Sequence, residues 1–189
     1  MKKLIHITGL LILVAMIACE NKSSSMYENC CGTAPVADSV DLNAPWDTTF
    51  DNKGRVYIPN LFTPNTLTGV DEFFIIFGGN GVKAIESAKY TDESGEVLFE
   101  HTLLQANDVG ASWNGMRNGD STFYYGSFNY EVKVEFVDGQ KKTYTGKACS
   151  FKCGDAGFPN EKLPDCFFPD QNNGNGAPDP SLPQPIGCF

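Results

Sequence analysis

Hydrophobic and polar positions alternate most regularly between Tyr124 and Val137. Tyr130, Val132, Val134 and Phe136 interleave there with Glu131, Lys133 and Glu135. A two-residue period puts the apolar side chains on one face of an extended chain and the charged ones on the other. The segment therefore predicts a β-strand with one wet face. Shorter β-rich runs occur at Val56-Tyr57-Ile58, Asp71 to Phe77, Ile85 to Tyr90, Glu96 to His101 and Lys141 to Ala148. Branched and aromatic residues suit a pleated surface. Turn formers separate the runs: Gly78-Gly79-Asn80-Gly81, Asp92-Glu93-Ser94-Gly95 and Asp138-Gly139. The second of these is a hairpin signal. No segment carries apolar residues at helical spacing between caps. Several short strands divided by turns, within about 95 residues, predict an all-β fold, a small antiparallel β-sandwich.

The ends of the chain read differently. Lys2 and Lys3 precede an apolar run from Leu4 to Ala18. That run falls short of the roughly 20 apolar residues of a membrane-crossing helix, and it has the length of a secretory signal core. It closes as Met16-Ile17-Ala18-Cys19, which resembles the bacterial lipobox. The resemblance implies cleavage before Cys19 and a diacylglyceryl group on its thiol; the alternative is an ordinary export signal with an unrelated cysteine. Glu20 to Ser25 is polar and suits a flexible tether. Beyond Gly154 the chain holds seven of the eleven prolines and the stretch Gln171-Asn172-Asn173-Gly174-Asn175-Gly176. That composition supplies too little apolar material for a core of its own. The expected organisation is a signal peptide (1–18), a lipidated tether and linker (19–54), a sandwich domain (55–153) and an irregular, disulfide-stapled tail (154–189).

Charge and cysteine count narrow the function. Removing 18 of 189 residues leaves 171, and loss of Lys2 and Lys3 from 14 basic residues leaves 12 against 23 acidic ones, a net charge of −11. Such a balance argues against nucleic acid as a partner, since phosphates demand a basic face. The seven cysteines are Cys19, Cys30, Cys31, Cys149, Cys153, Cys166 and Cys188. With Cys19 lipidated, six remain for disulfides in an oxidising compartment, in any of 15 pairings. None lies between residues 32 and 148, so bridges would fasten the ends and leave the middle to its own core. Zinc on Cys149-x-x-x-Cys153 and the vicinal pair is the rival reading, but its spacing is loose for a zinc site.

The segment from Ile58 to Phe151 resembles the gliding-motility-associated C-terminal domain family. The resemblance rests on Pro59-Asn60-Leu61-Phe62-Thr63-Pro64-Asn65, then Gly69-Val70-Asp71-Glu72-Phe73-Phe74, then Gly95-Glu96-Val97-Leu98-Phe99-Glu100, then Trp113-Asn114-Gly115. It implies an immunoglobulin-like sandwich of the kind found at the ends of proteins exported by the type IX secretion system. The chain departs from the family pattern at Glu93-Ser94, where an arginine-tryptophan pair is usual, and at Thr66-Leu67-Thr68, where an acid-rich loop is usual. About 38 residues also follow a domain that normally ends the protein. Pro59, Asn60, Phe62, Thr63, Pro64, Asn65, Gly95, Glu96, Trp113 and Gly115 read as structural: prolines stiffening an edge segment, glycines in turns and Trp113 in the core.

No catalytic set emerges. His101 is the one histidine after residue 18, no nucleophile elbow is present, and the pairs Asp71-Glu72 and Asp92-Glu93 are adjacent acids that an extended chain points apart. No cofactor or metal is expected, although a surface calcium site around Asp71, Glu72 or Asp170 is conceivable. Asp38-Ser39-Val40, Asp47-Thr48-Thr49 and Asp120-Ser121-Thr122 resemble an O-glycosylation signal of gliding-type bacteria, and equally read as solvated polar segments. The expectation is a non-enzymatic lipoprotein of the outer membrane, on its surface or periplasmic face, with the membrane and another envelope protein as partners. Tyr124, Tyr125, Phe128 and Phe167-Phe168 are the contact candidates. The alternatives are a carbohydrate-binding or adhesive module using Trp46 or Tyr124-Tyr125, and a type IX sorting domain.

Overall fold

The structure is a computed structural model that describes residues 27, 30–43, 52–66, 69–154 and 165–184. Among the described residues eight strands form two sheets: β1 (Val36–Asp41), β2 (Lys53–Ile58), β3 (Leu61–Phe62), β4 (Phe77–Gly78), β5 (Val82–Thr91), β6 (Val97–Leu104), β7 (Gly126–Phe136) and β8 (Lys141–Ser150). The first sheet has the order β1-β2-β4 and the second β3-β8-β7-β5-β6. Every pairing is antiparallel except that of β3 with β8, which is parallel, so the second sheet is mixed rather than purely antiparallel. The β-sandwich expectation is met.

The alternation in β7 does what its period requires. Phe128, Tyr130, Val132, Val134 and Phe136 are buried between the sheets, and Glu131 and Lys133 are exposed. They meet Val56 and Ile58 from β2, Phe62 from β3, and Phe74, Ile85, Tyr90, Leu98 and Trp113 in the main core. Its centre is aromatic. Phe128 lies 5.0 Å from both Phe74 and Trp113, each edge to face, and 5.8 Å from Tyr90, the spacing and tilt that ring quadrupoles favour.

Three expectations about the elements need correction. The stretch Asp71 to Phe77 is not one strand. A 3-10 turn covers Gly69–Glu72, Phe74 makes an isolated bridge to Trp113, and only Phe77–Gly78 pairs with β2. Its apolar run is continuous because both faces are covered: Phe74 and Ile76 enter the main core, while Ile75 and Phe77 join Tyr57 and Phe167 in a separate cluster on the other side. The assignment of 36–41 to a linker is also wrong. Those residues form β1, with Val36 and Val40 against the main core. Between them Asp38 accepts hydrogen bonds from Tyr144 Oη at 2.6 Å and Lys142 Nζ at 2.8 Å, which bind β1 to β8 across the open side of the sandwich. Burial pushes the Asp38 carboxyl up, but those bonds and the Lys142 charge outweigh it and hold it below the usual carboxylate value. Finally, β2 begins at Lys53, two residues before the expected domain boundary.

The tail is ordered onto the domain over 165–184. Cys166 and Phe168 are buried with Leu61, Cys149 and Phe151 in a second small core, and Phe167 packs with Tyr57 and Phe77. Farther on, backbone meets backbone. Gly176 (φ 70°) approaches so closely that a β-carbon there would stand 2.6 Å from Gly79 N and 2.8 Å from Arg55 O. Only glycine combines that dihedral with that contact.

Phe128→Ala should cost about 3–5 kcal/mol, since it removes a fully buried ring from four aromatic neighbours and leaves a cavity that β-sheets cannot collapse around. Urea denaturation of the wild type and the variant would measure the loss.

Candidate functional site: a strap and tail fastened across the second sheet

The sequence-predicted residues converge at one end of the second sheet. The segment Pro59-Asn60 carries the chain from the first sheet into the second, and Leu61 and Phe62 then pair with Cys149 and Ser150. Side chains alternate along a strand, so Phe62 enters the main core while Leu61 enters the small core on the other face. Thr63 is buried, donates its N–H to Asp71 O at 2.8 Å, and is followed by buried Pro64. Pro64 packs on Gly115 (φ 84°), where a β-carbon would stand 2.6 Å from the proline ring. Trp113 lies in the main core and donates Nε1–H to Met116 O at 2.7 Å. Asn65 (φ 61°) is exposed at the following turn. Gly95 (φ 90°) completes the hairpin turn, where Asp92 accepts the N–H groups of Ser94 and Glu96, and Glu96 faces Arg117 at 3.4 Å.

Asn60 is the hub of this end. It is 1% exposed, and every polar atom of its side chain is engaged. Nδ2 donates to Thr33 O at 2.9 Å and to Asp165 O at 2.8 Å, and Oδ1 accepts Phe167 N–H at 2.7 Å. Its backbone N–H reaches Phe167 O at 3.2 Å, and its carbonyl accepts Cys149 N–H at 2.9 Å. One amide thus binds the N-terminal strap, the tail and β8 together. An aspartate could not make the two donations.

Disulfides join the same three pieces. Cys30 bonds Cys149 of β8, and Cys31 bonds Cys166 of the tail, with Cα atoms 5.5 and 5.0 Å apart. Cys153 is disulfide-bonded as well. Cys19 and Cys188 lie outside the described residues, as do Trp46 and the triplet at Asp47. Tyr27 closes the small core edge to face with Phe151 at 4.7 Å. The vicinal cysteines therefore serve as two separate anchors, one on the sheet and one on the tail. Among the described residues no group of three or more histidine, cysteine, aspartate or glutamate side chains could hold a metal ion.

The proposed contact aromatics are largely interior. Phe128 and Phe168 are fully buried, and Tyr124 is 8% exposed with its hydroxyl bonded to Ser127 O, so only Tyr125 and Phe167 are partly open. Packing against the sandwich end claims them, which overrides the patch reading. His101 is exposed, with Nδ1 2.8 Å from Thr102 O. Of the two other triplets, Ser39 is exposed on β1, and Ser121 and Thr122 are exposed in a turn where Asp120 accepts Thr122 N–H. A polar groove of about 780 Å³ lies on the β5-β7-β8 face, lined by Lys89, Thr91, Asn129, Glu131 and Lys147 with Thr33 of the strap. The features the sequence left unmarked are the Asn60 hub, the free β6 edge and the burial of Asp71. A clue to the first was present: an asparagine between a proline and a hydrophobic pair, next to a β-rich run.

Fold and fastenings define a disulfide-stapled β-sandwich protein. No family model matches the chain, and no curated protein matches it. Among solved structures the chain is similar to CopC from Methylosinus trichosporium OB3b at 14% identity and a TM-score of 0.29, over 69% of this chain and 98% of that one. At that score the likeness carries no argument.

Asn60→Ala should cost about 1–3 kcal/mol, because it removes the partners of part-buried carbonyl and N–H groups on two segments at once. Limited proteolysis should then cut the tail within 165–184 earlier than any site in β5 to β8.

Proposed function

We propose that the protein is a non-enzymatic cell-envelope lipoprotein, held on the outer membrane through Cys19, whose sandwich mediates contact with another protein, in a surface assembly linked to gliding or type IX secretion. The observation that carries this reading is the pair of long-range disulfides that clamp the N-terminal strap to β8 and to the tail. Such bridges belong to an oxidising compartment outside the cytoplasm. They begin at Cys30, eleven residues after the lipobox cysteine, so the lipid tether would run directly into the clamped end of the domain.

The far side of the second sheet supports the contact role. β6 is its outermost strand, and Leu103 on it is 79% exposed. A free strand edge bearing an exposed leucine is a template for pairing with a partner chain. The exposed large apolar side chains of the described residues are Val70, Leu103, Val109 and Met116, all aliphatic. That composition favours a protein surface over a sugar, which stacks on aromatic rings. The sorting-signal alternative is disfavoured by the tail, which packs over both outer faces of a domain that would otherwise end the chain.

Labelling growing cells with a radioactive fatty acid tests the anchor. The wild-type chain should take up label and fractionate with membranes, and Cys19→Ala should lose the label. Protease shaving of intact cells then assigns the face: release of peptides from 53–154 places the sandwich outside, and protection until lysis places it in the periplasm.

A further inference from the structure

Past Cys166 the tail meets the domain again where the Gly69–Glu72 turn touches a second 3-10 turn, Pro169–Gln171. Asp71 is at that contact and is 0% exposed. Its Oδ1 accepts Asp170 N–H at 2.9 Å, while its Oδ2 is buried with no hydrogen-bond partner. The titratable groups that face it are the Asp170 carboxyl from the tail turn and the Tyr57 phenol from β2. Glu72, next along the chain, turns its carboxylate to Gly69 N–H at 3.3 Å instead. No cationic side chain of the described residues contributes to the field at Asp71. A fully buried carboxyl with one unpartnered oxygen and no cation beside it favours its neutral form, and the neighbouring, solvent-exposed Asp170 carboxyl adds to that preference.

We propose that Asp71 carries a proton while the tail is docked, and that this neutral, buried carboxyl latches the Pro169–Gln171 turn and the chain beyond it onto the domain through the Asp170 N–H. The unpartnered Oδ2 is the place for that proton. Burial above all, with the Asp170 charge added and the Asp170 N–H opposing, raises the Asp71 carboxyl to about 7. A folded value above the unfolded one means that the latch is fully present below the ordinary carboxylate range and is lost as pH rises through about 7. The Cys31–Cys166 bridge and the bond from Tyr57 Oη to Phe168 O at 2.7 Å lie before the latch and keep the tail attached while its outer part loosens.

Amide exchange in the full mature chain, corrected for intrinsic rates, tests the latch. Protection over 169–184 should fall by about tenfold or more between about pH 5 and about pH 9, while β7 and β8 stay protected. Asp71→Asn keeps an acceptor at Oδ1 without the charge, and should remove that fall. Asp170→Asn changes an exposed residue and leaves folding intact, and should move the midpoint to lower pH. A pH-independent tail in the wild type, or a fall unchanged in both variants, would overturn the latch. So would restoration of wild-type protection at high pH by millimolar calcium after chelator treatment, since the pair would then hold a cation.

Discussion

The structure depends on a six-residue crossing. Between Pro59 and Pro64 the chain leaves the first sheet, enters the edge of the second, and distributes its side chains to both faces: Phe62 to the main core and Leu61 to the small one. The prolines limit the conformations open to it and lack the donors that a central strand would need. Asn60 then satisfies carbonyls and N–H groups from segments 27 residues before it and more than 100 after it. Without this crossing, neither the strap nor the tail would have a surface to close against, and the small core would lack its central leucine.

That arrangement explains how a domain of modest size covers both outer faces. Sandwiches bury the space between their sheets and usually leave the outside wet. Here the strap and Phe168 cover the β3–β8 end of one sheet, and Phe167 with the Asn175-Gly176 stretch covers part of the other. Either disulfide alone closes a loop of more than 100 residues, a length at which constraint of the unfolded chain is worth about 4–5 kcal/mol in the chain-entropy account; because Cys30 and Cys31 are adjacent, the other then closes only the short ring between Cys149 and Cys166 and adds about 3 kcal/mol. Strap and tail thus cover one end of the second sheet, and among the described residues no strand pairs with the outer edge of β6.

Legibility in the sequence followed the strength of local periodicity. The β7 alternation and the hairpin at Asp92 to Gly95 announced their structures, because each is a local pattern with a single physical solution; the end-weighted cysteines pointed to bridges at the ends but left their pairing open. β1 was hidden by Asp38, an acid at an inward position that is tolerable only because Tyr144 and Lys142 reach it from β8. The tail was hidden for the opposite reason. It has no period to read, and its position is set by the Cys31–Cys166 bridge, one asparagine amide and glycines that allow backbone contact. Asp71 looked like half of a surface acid pair, and only the return of the tail buries it.

Non-reducing tryptic digestion with mass spectrometry shows whether the vicinal cysteines fasten two different pieces of the molecule. Cleavage after Lys22, Lys53, Lys147, Lys152 and Lys162 separates the cysteines into peptides 23–53, 148–152, 153–162 and 163–189. The account predicts one linked species that contains 23–53, 148–152 and 163–189, and that falls apart on reduction. A free 23–53 peptide with Cys30 bonded to Cys31, or a 148–152 peptide bonded only to 153–162, would contradict it.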